Sequence, residues 1–290
     1  MDFSLIETML LHKDSVFLLH SHLYRLYGSA KALGFNYTAI ESVLQHLDIK
    51  TPHTHKDLNI LESLELLANS SLPNIDMQYH IMELESFSCR TQHNKTNTLD
   101  STLYNDNTNA MWNPNATLYL WDSIHTLQKL LQIWNTDNKL TTNDFSLCRL
   151  LLTKEGKLTY SIQALQPISN TKVKLATLDT ITPLSYHKTT KREHFKEATT
   201  SIAKNECFDY IYIDRDNKIL EGSRSNIIIA KDGKYYTPPQ SLGILAGTLR
   251  NTLVKCGICT EKILYKKDLY EASAIYCVNS IRGIIPVSLT

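Results

Sequence analysis

The sequence predicts a mixed α/β (α+β) fold built in two parts, and three observations predict it. Residues 145–290 hold a succession of short apolar runs separated by turn residues, the pattern of a strand-rich unit with helices packed outside it. Residues 1–50 change period once, from strand to helix. Between them lies a polar stretch with little apolar periodicity.

The first segment reads as strand, turn, strand, helix. Residues 3–11 are rich in strand-compatible apolar side chains, His12-Lys13-Asp14 is turn-like, and 15–19 resume the strand pattern. From Ser21 the spacing becomes helical. Leu23, Leu26, Ala30 and Leu33 share a face, and Gly34 is placed to end the helix. A second short helix is expected over 39–47. Seven asparagines between Asn94 and Asn115 give that stretch the composition of a polar insertion. Residues 118–134 carry Trp121, Ile124, Leu127, Leu130 and Leu131 as an apolar stripe, which predicts a helix.

Residues 145–152 and 157–162 flank Thr153-Lys-Glu-Gly156, a hairpin, and 167–171 form a linker. There follow a strand over 172–178, a turn holding Lys188, and a helix from Arg192 with Phe195, Ala198 and Ile202 on one face. Residues 208–214 alternate apolar and polar side chains, as a strand does, and a polar turn over 214–218 returns the chain to Ile219-Leu-Glu221. Residues 226–230 and 234–236 flank Asp232-Gly233, a two-residue hairpin signal. Gly247 opens a helix running to about Cys256, and 274–278 reads as the last buried strand.

A chain of 290 residues suffices for one large domain or two smaller ones, and 42% hydrophobic residues can supply a core. The net charge of +1 gives no electrostatic case for nucleic acid or an anionic membrane. No apolar run approaches the length of a membrane span, and the first residues lack a basic-then-apolar signal. Six scattered cysteines suit free thiols in a reducing compartment, so a cytoplasmic location is expected. Cys256-Gly-Ile-Cys259 lacks the second ligand pair that zinc requires, and His20-Ser-His22 and His53-Thr-His55 lack Cys or carboxylate partners at site-like spacing. No metal is expected.

The residues that carry chemistry begin with Lys188 and Glu221, 33 positions apart. A lysine amine condenses with an aldehyde, and a carboxylate paired with a pyridine nitrogen keeps it protonated. Pyridoxal 5′-phosphate (PLP) needs both groups to act as an electron sink. Taken alone, Lys188 reads first as a solvated loop lysine and Glu221 as an edge-strand glutamate. Gly247 enters a helix whose first N–H groups suit a phosphate. Arg25, on the first helix, offers a guanidinium fork for the same purpose, or for a surface carboxylate. Arg282, in Asn279-Ser-Ile-Arg-Gly283 after a buried strand, either clamps a substrate carboxylate or belongs to a turn closing the domain.

Taken in order, these segments resemble the class IV, or fold-type IV, PLP enzymes. That family includes branched-chain and D-amino acid aminotransferases and 4-amino-4-deoxychorismate lyases. The resemblance covers roughly residues 1–50 and 145–290. It rests on Leu5-Ile-Glu-Thr-Met9, His22-x-x-Arg25-Leu with Ser29-Ala30, Lys188-Thr-Thr-Lys-Arg192 and Glu221-Gly-Ser-Arg-Ser-Asn226. Thr237-Pro-Pro239, Gly243-Ile-Leu-Ala-Gly247 and Asn279-Ser-Ile-Arg-Gly283-Ile-Ile-Pro-Val complete it. It departs at the leading strand, which is shortened, and over about 53–115, which has no family counterpart.

The resemblance implies a small N-terminal α/β domain over 1–165, a linker over 166–171 and a larger strand-rich pseudo-barrel, the PLP-binding domain, over 172–290. It implies cofactor contacts from Arg25, Lys188, Glu221, Ser225, Asn226, Leu245, Gly247, Thr248 and Leu249. Lys188 and Thr8 are the implied catalytic pair, and Arg224, Ser280 and Arg282 the implied substrate contacts. Phe3-Ser-Leu-Ile-Glu-Thr8, His187-Lys188-Thr-Thr and the Asn279 segment favour the lyase, which forms 4-aminobenzoate for folate and releases pyruvate. A homodimer and a functional link to aminodeoxychorismate synthase accompany that expectation. The alternatives are a class IV aminotransferase for branched-chain or D-amino acids, and a non-catalytic binding protein on the same fold.

Overall fold

The structure, a computed structural model, describes residues 3–13, 15–49, 121–123, 142–179, 181–255 and 257–290. Among them the chain divides between Leu165 and Gln166 into two units. The asparagine-rich 94–115, the whole of 53–115 and Cys256 lie outside the described residues.

The first unit is a sheet in the order β3-β2-β1-β4-β5 carrying two helices. The strands are β1 (Leu5–Lys13), β2 (Ser15–Phe17), β3 (Trp121–Ser123), β4 (Thr142–Leu152) and β5 (Leu158–Ala164), and all neighbours are antiparallel. The helices are α1 (Leu19–Leu33) and α2 (Thr38–Ile49). Leu23, Leu26 and Ala30 of α1 are buried with Leu5, Met9 and Leu11 of β1 and Leu150 of β4. Gly34 ends α1 at φ +67°, a conformation that costs glycine nothing, and the next N–H, of Phe35, bonds back to Ala30 O at 2.8 Å.

Two expectations change here. The reversal expected at 12–14 is tighter than a separate turn: β1 keeps His12 and Lys13, the ladder reaching His12↔Ser15 and, past an irregularity, Lys13↔Thr142, so the chain reverses between Lys13 and Ser15. Trp121–Ser123 form a strand, not the start of a helix. They pair with β2 (Phe17↔Trp121), whose edge supplies the backbone partners that override a helical side-chain period. The rest of that stripe, 124–134, lies outside the described residues.

The second unit is an eight-stranded sheet in the order β11-β10-β9-β12-β13-β6-β7-β8. Its strands are β6 (Lys172–Thr177), β7 (Asp209–Ile213), β8 (Ile219–Gly222), β9 (Asn226–Lys231), β10 (Lys234–Thr237), β11 (Thr260–Glu261), β12 (Ala274–Asn279) and β13 (Gly283–Leu289). Its helices are α3 (Lys196–Ala203), α4 (Thr248–Lys255) and α5 (Lys266–Glu271). The two ends of the sheet approach each other. Ile219 N–H of β8 donates to Leu264 O at 2.8 Å and Lys218 bridges Tyr265, just beyond β11. This curls the sheet towards a barrel.

β6 and β7 are parallel, so the chain between them makes a long crossover. That crossover holds two 3₁₀ turns (Pro183–Tyr186 and Glu193–Phe195), Lys188 between them, and α3. The alternation read over 208–214 reflects two cores rather than a wet face, since every position of β7 is buried. Ile211 and Ile213 pack with Ile227, Ile229, Ile275 and Ile285, whereas Tyr210 and Tyr212 pack with Phe195, Ala198, Leu220 and Ile244.

Asp232 (φ +52°) and Gly233 (φ +69°) make the tight β9–β10 turn as expected. β12 is not the last strand. β13 follows through a three-residue loop, and its Pro286 is accommodated because pairing with β6 begins only at Ser288. Cys148, Cys207, Cys259 and Cys277 are buried free thiols. No helix of the described residues is long and apolar enough to cross a membrane.

Candidate active site

Four connections of the second unit supply the site: the β6–β7 crossover, the β8–β9 loop, the entry to α4 and the β12–β13 loop. Glu221 lies near the end of β8 and is buried. Burial pushes its carboxyl up to about 8. The Leu245 N–H, reaching the two carboxylate oxygens at 3.3 and 3.2 Å, opposes that rise, and so do the nearby charges of Arg192 and Lys188. Asp209 reinforces it. Half-buried Lys188 is thus the amine that Glu221 senses across the site.

Asn226 opens β9, and its Nδ2 donates to Leu245 O at 2.9 Å. Leu245 is therefore held through both backbone groups, N–H by Glu221 and C=O by Asn226. The Gly247 N–H also turns back to Leu245 O, at 2.9 Å. Glycine at 247 lets Asn226 reach Leu245, because a Cβ there would stand 2.0 Å from Asn226 Oδ1 and force that side chain to shift. Gly247 O accepts the first helical bond of α4, from Asn251 N–H at 2.9 Å. The N–H groups of Thr248 and Leu249 in that first turn have no carbonyl four residues back within the helix. Both residues are buried, and a helix N-terminus of this kind suits an anion.

The loop between Glu221 and Asn226 wraps around Asp209, a residue to which the sequence alone gave no role. Ser223 N–H donates to Asp209 Oδ1 at 3.0 Å, and Ser225 Oγ donates to Oδ2 at 2.6 Å. Ser225, expected at the cofactor, thus commits its hydroxyl proton to Asp209 of β7. Arg192 donates Nη2 to Ser223 O and stacks over Phe195 at 5.0 Å. Burial lowers its proton affinity.

Asn279 joins this loop to the β12–β13 connection. Its Nδ2 donates to Arg224 O at 3.2 Å, and its Oδ1 accepts Ile281 N–H at 2.9 Å and Arg282 N–H at 2.8 Å. The three expected substrate contacts, Arg224, Ser280 and Arg282, are thereby gathered. Arg224 turns its head onto Phe208, with Nη2 2.5 Å from Phe208 O and the guanidinium over the ring at 4.9 Å. Arg282 donates Nη1 to Gln166 O. Burial, with Arg224 beside it, brings Arg282 down to about 10. Neither guanidinium has a carboxylate partner among the described residues, although the Asp209 carboxylate accepts the Arg224 backbone N–H at 3.3 Å.

Thr8 and Arg25 belong to the first unit. Thr8 lies on β1 opposite Arg149 of β4. Arg25 donates Nε (2.8 Å) and Nη2 (2.6 Å) to the buried Glu7, and His22 Nδ1 lies 2.7 Å from the same carboxylate. Burial pushes Glu7 up, but Arg25 and His22 outweigh it and hold it at about 2. The arginine expected at a phosphate is therefore also the main counter-charge of a buried acid.

The donor set fits PLP on two counts. A buried carboxyl at Glu221, high in proton affinity and holding one backbone N–H, suits a protonated ring nitrogen. The Gly247 turn presents the helix N-terminus without a side chain.

A family model described as amino-transferase class IV matches residues 110–290. A probable branched-chain-amino-acid aminotransferase of Thermotoga maritima is 30% identical over 87 residues, 28% of this chain and 32% of that protein. An aminodeoxychorismate lyase of Vibrio harveyi is 27% identical over 110 residues, 36% of this chain and 41% of that protein. The chain thus spans less than half the length of these curated relatives. Among solved structures, a hypothetical aminotransferase from Mycobacterium tuberculosis in PLP-bound form shares the fold. Its TM-score is 0.53 at 16% identity, over 99% of this chain and 81% of that one.

Proposed function

The chain belongs to the amino-transferase class IV family, and from that premise we propose that it is a PLP-dependent 4-amino-4-deoxychorismate lyase. It releases pyruvate and forms 4-aminobenzoate, a folate precursor. Residues 172–290 act as the PLP-binding domain and 1–165 as the smaller domain of a homodimer. The observation that carries the reading is the buried Glu221, braced by Leu245 N–H and sensing the charge of Lys188. The choice of lyase over aminotransferase rests on Phe3-Ser-Leu-Ile-Glu-Thr8, His187-Lys188-Thr-Thr and Asn279-Ser-Ile-Arg-Gly283.

Lys188 would anchor the cofactor. Glu221 would face its ring nitrogen, and Thr248, Leu249 and Arg25 would take its phosphate. When bound, PLP supplies an electron sink. The Lys188 amine would take the proton from the carbon that bears the substrate amine. Burial lowers the proton affinity of His187 next to it, so no second cation is added there at neutral pH. Arg282 and Arg224 hold substrate carboxylate. Thr8 assists protonation of the departing enolpyruvyl group. Loss of that group leaves an aromatic ring, which drives the step.

An aminotransferase would use the same residues, with Lys188 both taking and returning the proton. The test is to incubate purified protein and PLP with 4-amino-4-deoxychorismate and measure pyruvate and 4-aminobenzoate. Release of both is expected. Transamination of D-alanine or leucine with no lyase product would overturn the lyase reading. Absence of a visible cofactor band that depends on Lys188 would point to a binding protein instead.

A further inference from the structure

Asp209 opens β7 with no exposed surface. Five donors converge on its carboxylate. Oδ1 accepts Tyr210 N–H at 2.8 Å, Ser223 N–H at 3.0 Å and the Ser223 hydroxyl. Oδ2 accepts the Ser225 hydroxyl at 2.6 Å and Arg224 N–H at 3.3 Å. Four of the five come from one loop. An apolar residue at 209 would leave those donors buried without an acceptor, which is costly for each. Gly222 completes the fit, since a Cβ there would stand 2.6 Å from Asp209 Oδ2 and 2.4 Å from Ser225 Oγ.

This loop joins Glu221 to Asn226. Those two side chains hold Leu245 from opposite sides, and Leu245 leads through Gly247 into α4. We propose that Asp209 is a positioning residue for the cofactor site. Its carboxylate is the template on which the 222–225 loop folds, and so it sets the spacing at which Glu221 and Asn226 grip Leu245. The proposal rests on the PLP reading above. Asp209 also acts on Glu221 through its charge, raising the proton affinity of Glu221 while Lys188 and Arg192 lower it.

The test compares wild type with Asp209→Asn, which keeps the side-chain shape but loses the charge and half of its accepting capacity. Cofactor-free proteins are titrated with PLP and followed by the visible band. Loss of hydrogen bonds to a buried charge predicts about tenfold weaker binding in the variant. Carbon-13 NMR of the Glu221 carboxyl, assigned through Glu221→Gln, adds a readout that a merely structural staple would not move. The variant should lose its Glu221 proton at lower pH than wild type. Should Asp209→Asn fail to fold, Ser225→Ala removes one donor and keeps the charge. PLP binding should then weaken with the Glu221 titration in place. Unchanged PLP affinity in the folded variant, or an unmoved Glu221 titration in Asp209→Asn, overturns the proposal. A wild type that forms no visible band overturns the cofactor reading and this proposal together, whereas equal bands in wild type and variant overturn this proposal alone.

Discussion

Glu221→Gln is expected to act in opposite directions with and without cofactor. In the cofactor-free protein the carboxyl is held at about 8 against an ordinary 4.5, chiefly by burial. The folded protein therefore keeps a proton that the unfolded chain releases. Its contribution to stability is complete below the ordinary value and is lost as pH rises towards 8. The loss is about 1.4 kcal/mol per pH unit, or roughly 4 kcal/mol between pH 5 and 8. Glutamine has no proton to lose, so the variant gains that amount on wild type over the same interval. All other titrating groups are common to both proteins and cancel in the difference.

Urea denaturation of both proteins at several pH values reads the effect directly. With PLP present that advantage should shrink, because glutamine cannot form the charge-assisted bond to a ring nitrogen. A loss of about 1.5–3 kcal/mol corresponds to roughly 10- to 100-fold weaker binding. A stability difference that stays flat from pH 5 to 8 would refute the buried, protonated Glu221. A variant that binds PLP as tightly as wild type would refute its place opposite the ring.

Lys188→Ala should abolish the visible band and lower turnover by about 10²- to 10⁴-fold, the range for a lost acid–base group, as read by spectrophotometry and product release. Gly247→Ala forces a Cβ within 2.0 Å of Asn226 Oδ1, so Asn226 must leave Leu245. Thermal melting should show a loss of about 1–3 kcal/mol, and PLP affinity should fall as well. Glu7 is held at about 2, so its contribution is present above the ordinary 4.5 and is lost as pH falls towards 2. That loss is roughly 3 kcal/mol, and Glu7→Gln should remove this part of the acid sensitivity in melting experiments between pH 5 and 2.

Most elements of the fold were legible because their signals are local. Gly34 at the end of α1, Asp232-Gly233 at the β9–β10 turn and the change of period at Ser21 each act within a few residues. The misreadings share one cause, which is that a strand's partner lies elsewhere in the chain. Trp121 looks helical until β2 offers an edge. The segment after Arg282 looks like a closing turn because Gly283 and Pro286 are breakers. Yet β12 pairs with it from Asn279↔Gly283 to Ile275↔Val287. Tyr210 and Tyr212 look like the wet face of β7 because a tyrosine ring counts as polar by pattern, whereas in the fold it fills a second core.

The candidate site divides along the same line. Lys188, Glu221, Asn226 and Gly247 stand out by residue type at turns. Gly247 in particular is explained by one close approach, to Asn226. What residue type did not give is how the groups are held. Asp209 lies 12 positions before Glu221, at the start of a strand whose alternation gave it no role. A signal was nonetheless present. An acid inside such a strand must find donors, and Gly222-Ser-Arg-Ser225, next in the sheet, is a loop of small residues rich in hydroxyls. Burying one carboxylate and closing one Gly-Ser-rich loop are each unfavourable alone, and each answers the other's unmet hydrogen bonds. Glu221 and Asn226 inherit their positions from that exchange, so the precision of the site depends on a residue outside the reacting set.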